Sequence, residues 1–324
     1  MNLDAAWTIA HSPTASLEDI FFCFRLLLGR SPGEKEWPGH SSFQGEKLET
    51  VVKAYLGSLE FANRRLLSKE SISGIQVAKC GDFLIYCDPN DLAVAKYVLS
   101  NAYEPHVTQL FRDRLSPGMG VLDIGANIGY YSMLFAQLVG PEGYVLAIEP
   151  NPSNCKLLEA SRRLNGFENL TLVQAAAGRE LGLLAFHESF SNGFTSDLRD
   201  DLQSIVESHT VACVRPDILV PADRPIHAIK IDVEGAEFNA LMGSQSIIEK
   251  YHPLIVSEFC PPALENISRA DWQNYLMFFV DRGYSLWVIE AYGDLLPCGK
   301  EIDKVYRAYR DNSGDHIDIL AVWP

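Results

Sequence analysis

The chain has 324 residues, 47% hydrophobic and 21% charged, enough to bury a large core with room for an appendage. Its formal net charge of −15 argues against an extended nucleic-acid or anionic-membrane surface, since both need clustered Lys and Arg. No stretch approaches 18 uninterrupted apolar residues, and Met1 to His11 lacks the basic-then-apolar pattern of a leader, so no transmembrane segment and a cytoplasmic location are expected.

Residues 1–70 read as a helical module. Leu17 to Leu28 is a dense apolar run, Gly29-Arg30-Ser31-Pro32-Gly33 breaks it, and Leu48 to Leu67 is periodic, with apolar residues at 48, 51, 52, 55, 56 and 59. Punctuation at Ser71 to Gly74 opens a second domain, 71–324, with strand candidates Ile75 to Ala78 and Phe83 to Cys87. A helical pattern from Asp91 to Leu115 stops at Ser116-Pro117-Gly118. Strand and helix then alternate: a strand from Val121, helix Tyr130 to Val139, strand Tyr144 to Glu149, helix Ser153 to Leu164, strands Leu170 to Gln174 and Gly182 to Phe186. Residues 188 to 208 are polar and read as a lid or a solvated loop. The sheet resumes with Thr210 to Val214, Ile226 to Val233, Leu254 to Phe259, Ser285 to Ile289 and Ile317 to Val322, with helices Ala236 to Lys250 and Asp271 to Arg282 between. The alternation predicts a doubly wound α/β sheet covered on both faces. Seven scattered cysteines, an odd number with no C-x-x-C pair, suggest neither a disulfide framework nor a zinc site.

Two motifs carry the chemistry. Gly120-Val-Leu-Asp-Ile-Gly-Ala-Asn-Ile-Gly-Tyr130, followed by Tyr144-Val-Leu-Ala-Ile-Glu-Pro150, reads as strand, glycine turn, helix, strand, carboxylate, a half-site for a nucleoside cofactor. Glu149 ends the second strand, where an acid accepts hydrogen bonds from a ribose. The turn is D-x-G-A-N-x-G and not the G-x-G-x-x-G of dinucleotide folds, and a carboxylate at Asp123 would repel a diphosphate while suiting an amino group. S-adenosylmethionine has an α-amino group, a sulfonium, a ribose and no phosphate. The spacing, 149 − 125 = 24 residues, is near the roughly 20 expected between loop and ribose acid.

The second motif, Ile229-Lys230-Ile-Asp232-Val-Glu234-Gly235-Ala-Glu237, places three carboxylates at a strand end and helix start, on the same sheet edge as Asp123 and Glu149. Crowded like charges raise one another's pKa, so one can act as a base for a hydroxyl. Glu234 and Glu237 also fit a helix first turn, and Lys230 is either the ion-pair partner of Asp232 or a residue facing a neighbouring helix. Glu258, ending Leu254 to Glu258, would sit beside Asp232 if the strands are neighbours. The pair could hold a divalent cation such as Mg2+ or bind a substrate hydroxyl directly. The histidines have no metal-binding spacing, with His187 at a strand end the best candidate for a role.

Tyr103-Glu-Pro105, Val121-Leu-Asp-Ile-Gly-Ala-Asn-Ile-Gly-Tyr-Tyr-Ser132, Ile148-Glu-Pro-Asn-Pro152, Ile229 to Glu237 and Ser257-Glu258 resemble, in this order, the FkbM family of S-adenosylmethionine-dependent methyltransferases over about residues 75 to 324. The resemblance implies a class I methyltransferase fold, Rossmann-like, seven-stranded with the last strand antiparallel. It also implies O-methylation of a hydroxyl on a sugar, glycan or related natural product. By position it implies that Asp123, Gly125, Asn127 and Gly129 form the cofactor loop, that Glu149 holds the ribose, that Gln174 and Ala175 flank the adenine, and that Glu104 closes over the methionine end. Phe24-Arg-Leu-Leu-Leu-Gly-Arg-Ser-Pro32 resembles the signature of a small helical domain found beside bacterial glycan-modifying enzymes, although Gly33-Glu34 departs from its usual Asp after proline. That module would tilt the acceptor toward a polysaccharide or lipid-linked sugar, or serve as a docking or homodimer-forming element.

Asp232 is the first candidate for the base, Glu234 and Glu258 the next, with a cation bound at Asp232 and Glu258 as the variant. On this reading Asp232→Asn abolishes turnover with cofactor binding intact, and Asp123→Ala chiefly weakens cofactor binding. Two other readings are an NAD-dependent sugar oxidoreductase or epimerase and a non-catalytic scaffold. The missing G-x-G-x-x-G, the lack of Lys four residues after Tyr97, Tyr103 or Tyr275, and the intact loop and ribose acid disfavour them.

Overall fold

The computed structural model describes residues 13–63, 74–189, 191–197, 209–221, 223–290, 293–312 and 316–324. The chain divides into two compact units, Met1–Ser73 and Gly74–Pro324.

In the first unit, Ser16 opens the helix Leu17–Phe22 with a capping box: its Oγ accepts from Asp19 N at 3.1 Å and its own N–H donates to Asp19 Oδ2 at 2.8 Å. The run does not stay α-helical as the periodicity suggests. Cys23–Leu28 widens into a π-helical turn and stops at Gly29, whose φ of 68° an L side chain rarely adopts. Arg30 then pairs with both Glu36 and Glu60 while lying 5.0 Å from the Phe24 ring centroid, which ties the Gly-Arg motif to the core of Ile20, Phe24, Val51, Tyr55 and Phe61. The predicted second helix ends early, at Leu56, and restarts as Leu59–Asn63, with residues 64–67 outside the described residues.

The second unit opens with an antiparallel hairpin, β1 (Gln76–Cys80) and β2 (Phe83–Cys87). The single helix expected over 91–115 is two, Ala95–Leu99 and Pro105–Arg114, because Asn101 and Glu104 take left-handed φ of 55° and 37° ahead of Pro105. The strands that follow are β3 (Gly120–Ile124), β4 (Tyr144–Glu149), β5 (Leu170–Gln174), β6 (Ala176–Ala177), β7 (Gly182–Ser189), β8 (Asn192–Asp197), β9 (His209–Val214), β10 (Ala228–Ile231), β11 (Leu254–Phe259), β12 (Ser285–Ile289), β13 (Leu295–Gly299) and β14 (Ile317–Val322).

The main sheet runs β13-β12-β14-β11-β10-β3-β4-β5. Strands β5, β4, β3, β10 and β11 are parallel, and β14 inserts antiparallel between β11 and β12, so the doubly wound core with its antiparallel last strand is as expected. The strand count is corrected: β13 pairs with β12 and adds an eighth strand. The strand readings at 182–186 and 210–214 are also corrected, since both lie in a separate four-stranded sheet, β6-β9-β7-β8. Within the segment read as lid or loop, Asn192–Asp197 forms β8 and returns along β7, with Ser189 opposite Asn192.

Period-two alternation explains both cores. Val121, Ala147, Ala228, Val256 and Leu320 face one side, under the hairpin and the helices Ala95–Leu99, Pro105–Arg114, Tyr130–Val139 and Pro152–Asn165. Leu122, Ile124, Ile229, Ile231, Ile255 and Ile319 face the other, under Glu237–Gly243, Gln245–Tyr251, Trp272–Asp281 and Ile302–Asp311. The helix read as continuous over 236–250 breaks at Ser244, whose hydroxyl turns back to Ala240 O at 2.8 Å.

Candidate active site

Along the first face the alternation that buries Val121, Ala228, Val256 and Leu320 carries Asp123, Lys230 with Asp232, Glu258 and Asp318 to the same side, on four adjacent strands. Pairing sets Lys230 beside Asp123 and Glu258 beside Asp318. At the carboxyl ends of the parallel strands lies a cavity of about 610 Å3, within the size of a small-molecule site. Its lining includes Glu104, Gly125, Asn127, Glu149, Ala175, Asp232, Glu234 and Glu258, together with His106 and His316.

The loop after β3 is fixed by sterics. Gly125 has φ 83°, and a Cβ there would stand 1.7 Å from Asp232 O, so only glycine lets the loop pass under the β10 end. Gly125 N and Ala126 N both donate to Ile148 O, and Asn127, at φ 51°, turns its N–H onto Glu149 Oε2 at 2.8 Å. Glu149 Oε1 accepts from Asn151 N at 2.8 Å and Asn154 Nδ2 at 3.3 Å. Burial pushes Glu149 up to about 7 against these donors.

Asp123 is 1% exposed and is not among the lining residues. Its Oδ2 accepts from Ser132 Oγ at 2.5 Å, its Oδ1 has no hydrogen-bond partner, and burial raises it to about 6 against the pull of Lys230 and Ser132. Gly129, at φ 97° the cap of helix Tyr130–Val139, and Gln174, at the exposed end of β5, also lie outside the lining. Glu104 Oε2 accepts from Tyr131 OH at 2.7 Å, and burial pushes its carboxyl up, opposed by Lys230.

Lys230 is the hub of the charged row. Its Nζ donates to Asp232 Oδ2 at 2.7 Å and sits 4.6 Å from the Tyr131 ring centroid. Burial alone would favour the neutral amine, but Asp232, Glu104 and Asp123 outweigh it and hold the ammonium protonated. The sequence left Lys230 open between pairing and packing, and here it does both. Glu258 is held well above the usual carboxylate range, first by burial and then by Asp232, Glu237, Glu234 and Asp318. Glu237 takes the capping role: its Oε1 accepts from Val233 N at 3.0 Å and Gly235 N at 3.1 Å. Among the described residues no group of three or more His, Cys, Asp or Glu is arranged to hold a metal ion.

Three features lay outside the sequence reading. His106 Nε2 stands 3.5 Å from Asp318 Oδ2 at the cavity wall, and that carboxylate raises its pKa. Asn151 and Asn154 brace Glu149. The β7–β8 tip, Ser191 to Gly193, lines the cavity. Turn formers Ser191-Asn192-Gly193 between runs of strand formers were a hairpin signal. His187 sits on this hairpin, stacked on Phe194 at 4.7 Å and hydrogen-bonded to Ser196 Oγ at 2.9 Å, and does not line the cavity.

A raised carboxyl stabilises the fold only while protonated. The contribution of Asp123 and Glu149 is full below their unfolded values near 4 and is lost as pH rises through about 6 and about 7, on the order of 3 kcal/mol each. The ligand-free protein should therefore be less resistant to urea at about pH 8 than at about pH 5.5. Equal or greater resistance at the higher pH would contradict the burial assigned to these two groups.

Residues 123–286 match the family model for the methyltransferase FkbM domain. The chain belongs to the FkbM methyltransferase family. Its fold is that of the class I methyltransferases, and the match covers the Gly125–Gly129 loop, Glu149 and the Lys230–Glu237 segment. Among curated relatives it is 42% identical over 81 residues to a protein-L-isoaspartate O-methyltransferase of Triticum aestivum, covering 25% of this chain and 32% of that protein. It is 26% identical over 143 residues to methyltransferase 1 of Beauveria bassiana, covering 38% and 57%. The chain thus spans from about a third to just over half the length of these relatives. Similar solved structures include a methyltransferase FkbM from Methylobacillus flagellatus, 15% identical, covering 92% of this chain and 58% of that one with a TM-score of 0.42. Another is the O-methyltransferase TomG of Streptomyces achromogenes, solved with S-adenosylmethionine, 12% identical, covering 73% and 83% with a TM-score of 0.40.

Proposed function

We propose that this FkbM-family protein is an S-adenosylmethionine-dependent O-methyltransferase acting on a hydroxyl of a sugar, glycan or related natural product. The observation that carries the reading is one cavity bounded by the Gly125–Asn127 loop and Glu149 on one side and by Asp232, Glu234 and Glu258 on the other. The fit to the cofactor is supported by three features. Glu149, a lining residue, has both oxygens braced by N–H donors, Ile148 and Ala175 to Ala177 form an apolar wall suited to a base, and Ser191, also a lining residue, keeps its buried Oγ without a hydrogen-bond partner. The cofactor supplies a methyl group activated by a sulfonium. Gly125, Asn127, Glu149 and Ala175 would hold its nucleoside end, and Glu104 its methionine end. Asp123, Gly129 and Gln174 would act one step removed, Asp123 by helping to keep Lys230 charged.

On the acceptor side the chain's task is to hold a hydroxyl in line and take its proton, and positioning supplies much of the rate. Asp232, ion-paired to Lys230, is the proton acceptor in this reading, with Glu258 and Glu234 fixing neighbouring hydroxyls. The Lys230 ammonium fills the charge-balancing place that a divalent cation at Asp232 and Glu258 would otherwise take. Among the described lining residues none is Lys or Arg, while five are carboxylates, which favours an uncharged or cationic acceptor over an anionic one. We place the enzyme in the cytoplasm, where its seven cysteines, six of them buried, would stay reduced. Among the described residues no helix is long and apolar enough to cross a membrane. We assign residues 1–70 to a separate helical module for docking or self-association. In it Leu26 and Leu59 are well exposed.

Calorimetric titration tests the reading: S-adenosylmethionine should bind at micromolar level, NAD should not, and labelled methyl should pass to an alkyl glycoside but not to an alkyl uronide. Binding of NAD alone, or transfer only to nitrogen, would overturn it.

A further inference from the structure

We propose that the β7–β8 hairpin tip is a working part of the cofactor site, in which Asn192 is a positioning residue linking Glu149 to Glu234 through one continuous chain of hydrogen bonds. The inference rests on the reading of Glu149 as the ribose acid. The chain starts at Glu149, which accepts from Asn127 N and Asn154 Nδ2. Those two side chains turn to the hairpin: Asn154 Nδ2 donates to Ser191 O at 2.7 Å, and Asn127 Nδ2 donates to Ser191 O at 3.2 Å and to Asn192 Oδ1 at 3.0 Å. Asn192 then donates from Nδ2 to Glu234 Oε1 at 2.7 Å. The amide orientation is fixed by its two neighbours, a donor on one side and a carboxylate on the other.

The arrangement is costly to build, which argues against an incidental contact. Asn127 and Glu234 both hold left-handed φ, 51° and 52°, and their side chains meet the same amide. Gly193 is required next to it, because a Cβ there would stand 2.5 Å from Phe186 Cζ and 2.6 Å from His187 O. Ser191 N also donates to Asp91 Oδ1 at 3.3 Å. Ser191 itself is 8% exposed and lines the cavity, and its Oγ is buried with no hydrogen-bond partner, so a small shift of the tip would let that hydroxyl reach a ligand. Anything that loosens the tip therefore loosens both the acid at the cofactor end and the carboxylate at the acceptor end.

The test is calorimetric binding of S-adenosylhomocysteine to wild type, Asn192→Ala, Asn192→Asp and Ser191→Ala at about pH 5.5 and about pH 8. Asn192→Ala should weaken binding about tenfold at both pH values, the loss expected for one or two buried hydrogen bonds. Asn192→Asp keeps the acceptor for Asn127 but sets a carboxylate against Glu234, which already shares the field of Glu258 from β11, a group that Asp232, Glu237 and Asp318 also act on. Binding by that variant should be at least tenfold weaker at about pH 8 and recover most of the loss at about pH 5.5, where one of the two carboxyls carries a proton and can donate. Ser191→Ala should leave thermal stability unchanged and weaken binding several-fold. Wild-type affinity in both Asn192 variants, or a loss in Asn192→Asp that does not depend on pH, would overturn the proposal, and an unchanged Ser191→Ala would remove that hydroxyl from it. Failure of the wild type to bind S-adenosylhomocysteine would instead overturn the reading of Glu149.

Discussion

Asp232→Asn should lower methyl transfer by roughly 10²- to 10⁴-fold, the usual range for a lost general base, while cofactor affinity stays within a few-fold of wild type. The two readouts separate because the side chain of Asp232, which our reading puts on the acceptor side, is held by Lys230, whereas Glu149 is braced by Asn127, Asn151 and Asn154. The fold should survive. An asparagine oxygen can still accept from Lys230 Nζ, and Glu104 and Asp123 still offset the ammonium, so the variant avoids the isolated buried charge that makes half of a broken ion pair so destabilising. Lys230→Met, by contrast, would leave Asp123, Glu104 and Asp232 facing one another unneutralised. Full turnover by Asp232→Asn at saturating cofactor would take Asp232 out of the chemistry and leave Glu258 or the His106–Asp318 pair to receive the proton.

The sheet was legible because its signals are local. An apolar strand ending in Asp123, a turn needing Gly125, and a second strand ending in Glu149 each follow from a few consecutive residues, and alternation assigns their faces. The adjacency of Asp232 and Glu258 was readable as a condition on β10 and β11 pairing, which the register meets. What escaped was long-range. Nothing near Asn192 announces that its amide would bridge Asn127 and Glu234, 65 residues upstream and 42 downstream, and nothing near His106 announces Asp318. The strand at 295–299 was missed because Pro297 and Gly299 weaken its pattern, which an edge position tolerates. The helix break at Ser244 was missed because a single serine competes with the helix only through its own back-bond to Ala240.

Glu149→Gln should cost roughly 10²- to 10³-fold in affinity for S-adenosylmethionine and S-adenosylhomocysteine alike, the equivalent of two hydrogen bonds to a charged acceptor at about 1.5–3 kcal/mol each, partly offset by the neutral amide. The substitution is nearly isosteric, yet the site is built for a carboxylate. Both oxygens already accept, Oε2 from Asn127 N and Oε1 from Asn151 N and Asn154 Nδ2, so whichever position the new NH2 takes it meets a donor. The ligand-free protein should feel two opposed effects: the mismatch destabilises it, while removal of a buried group that ionises only above about 7 relieves it at higher pH. Thermal stability near pH 8 should thus change little while ligand affinity collapses, which distinguishes a binding defect from misfolding. Measured dissociation constants within two- to three-fold of wild type would mean that Glu149 organises the loop and its asparagines without touching the cofactor, and the assignment of the nucleoside end of the cavity would have to move to the Ala175–Ala177 wall alone.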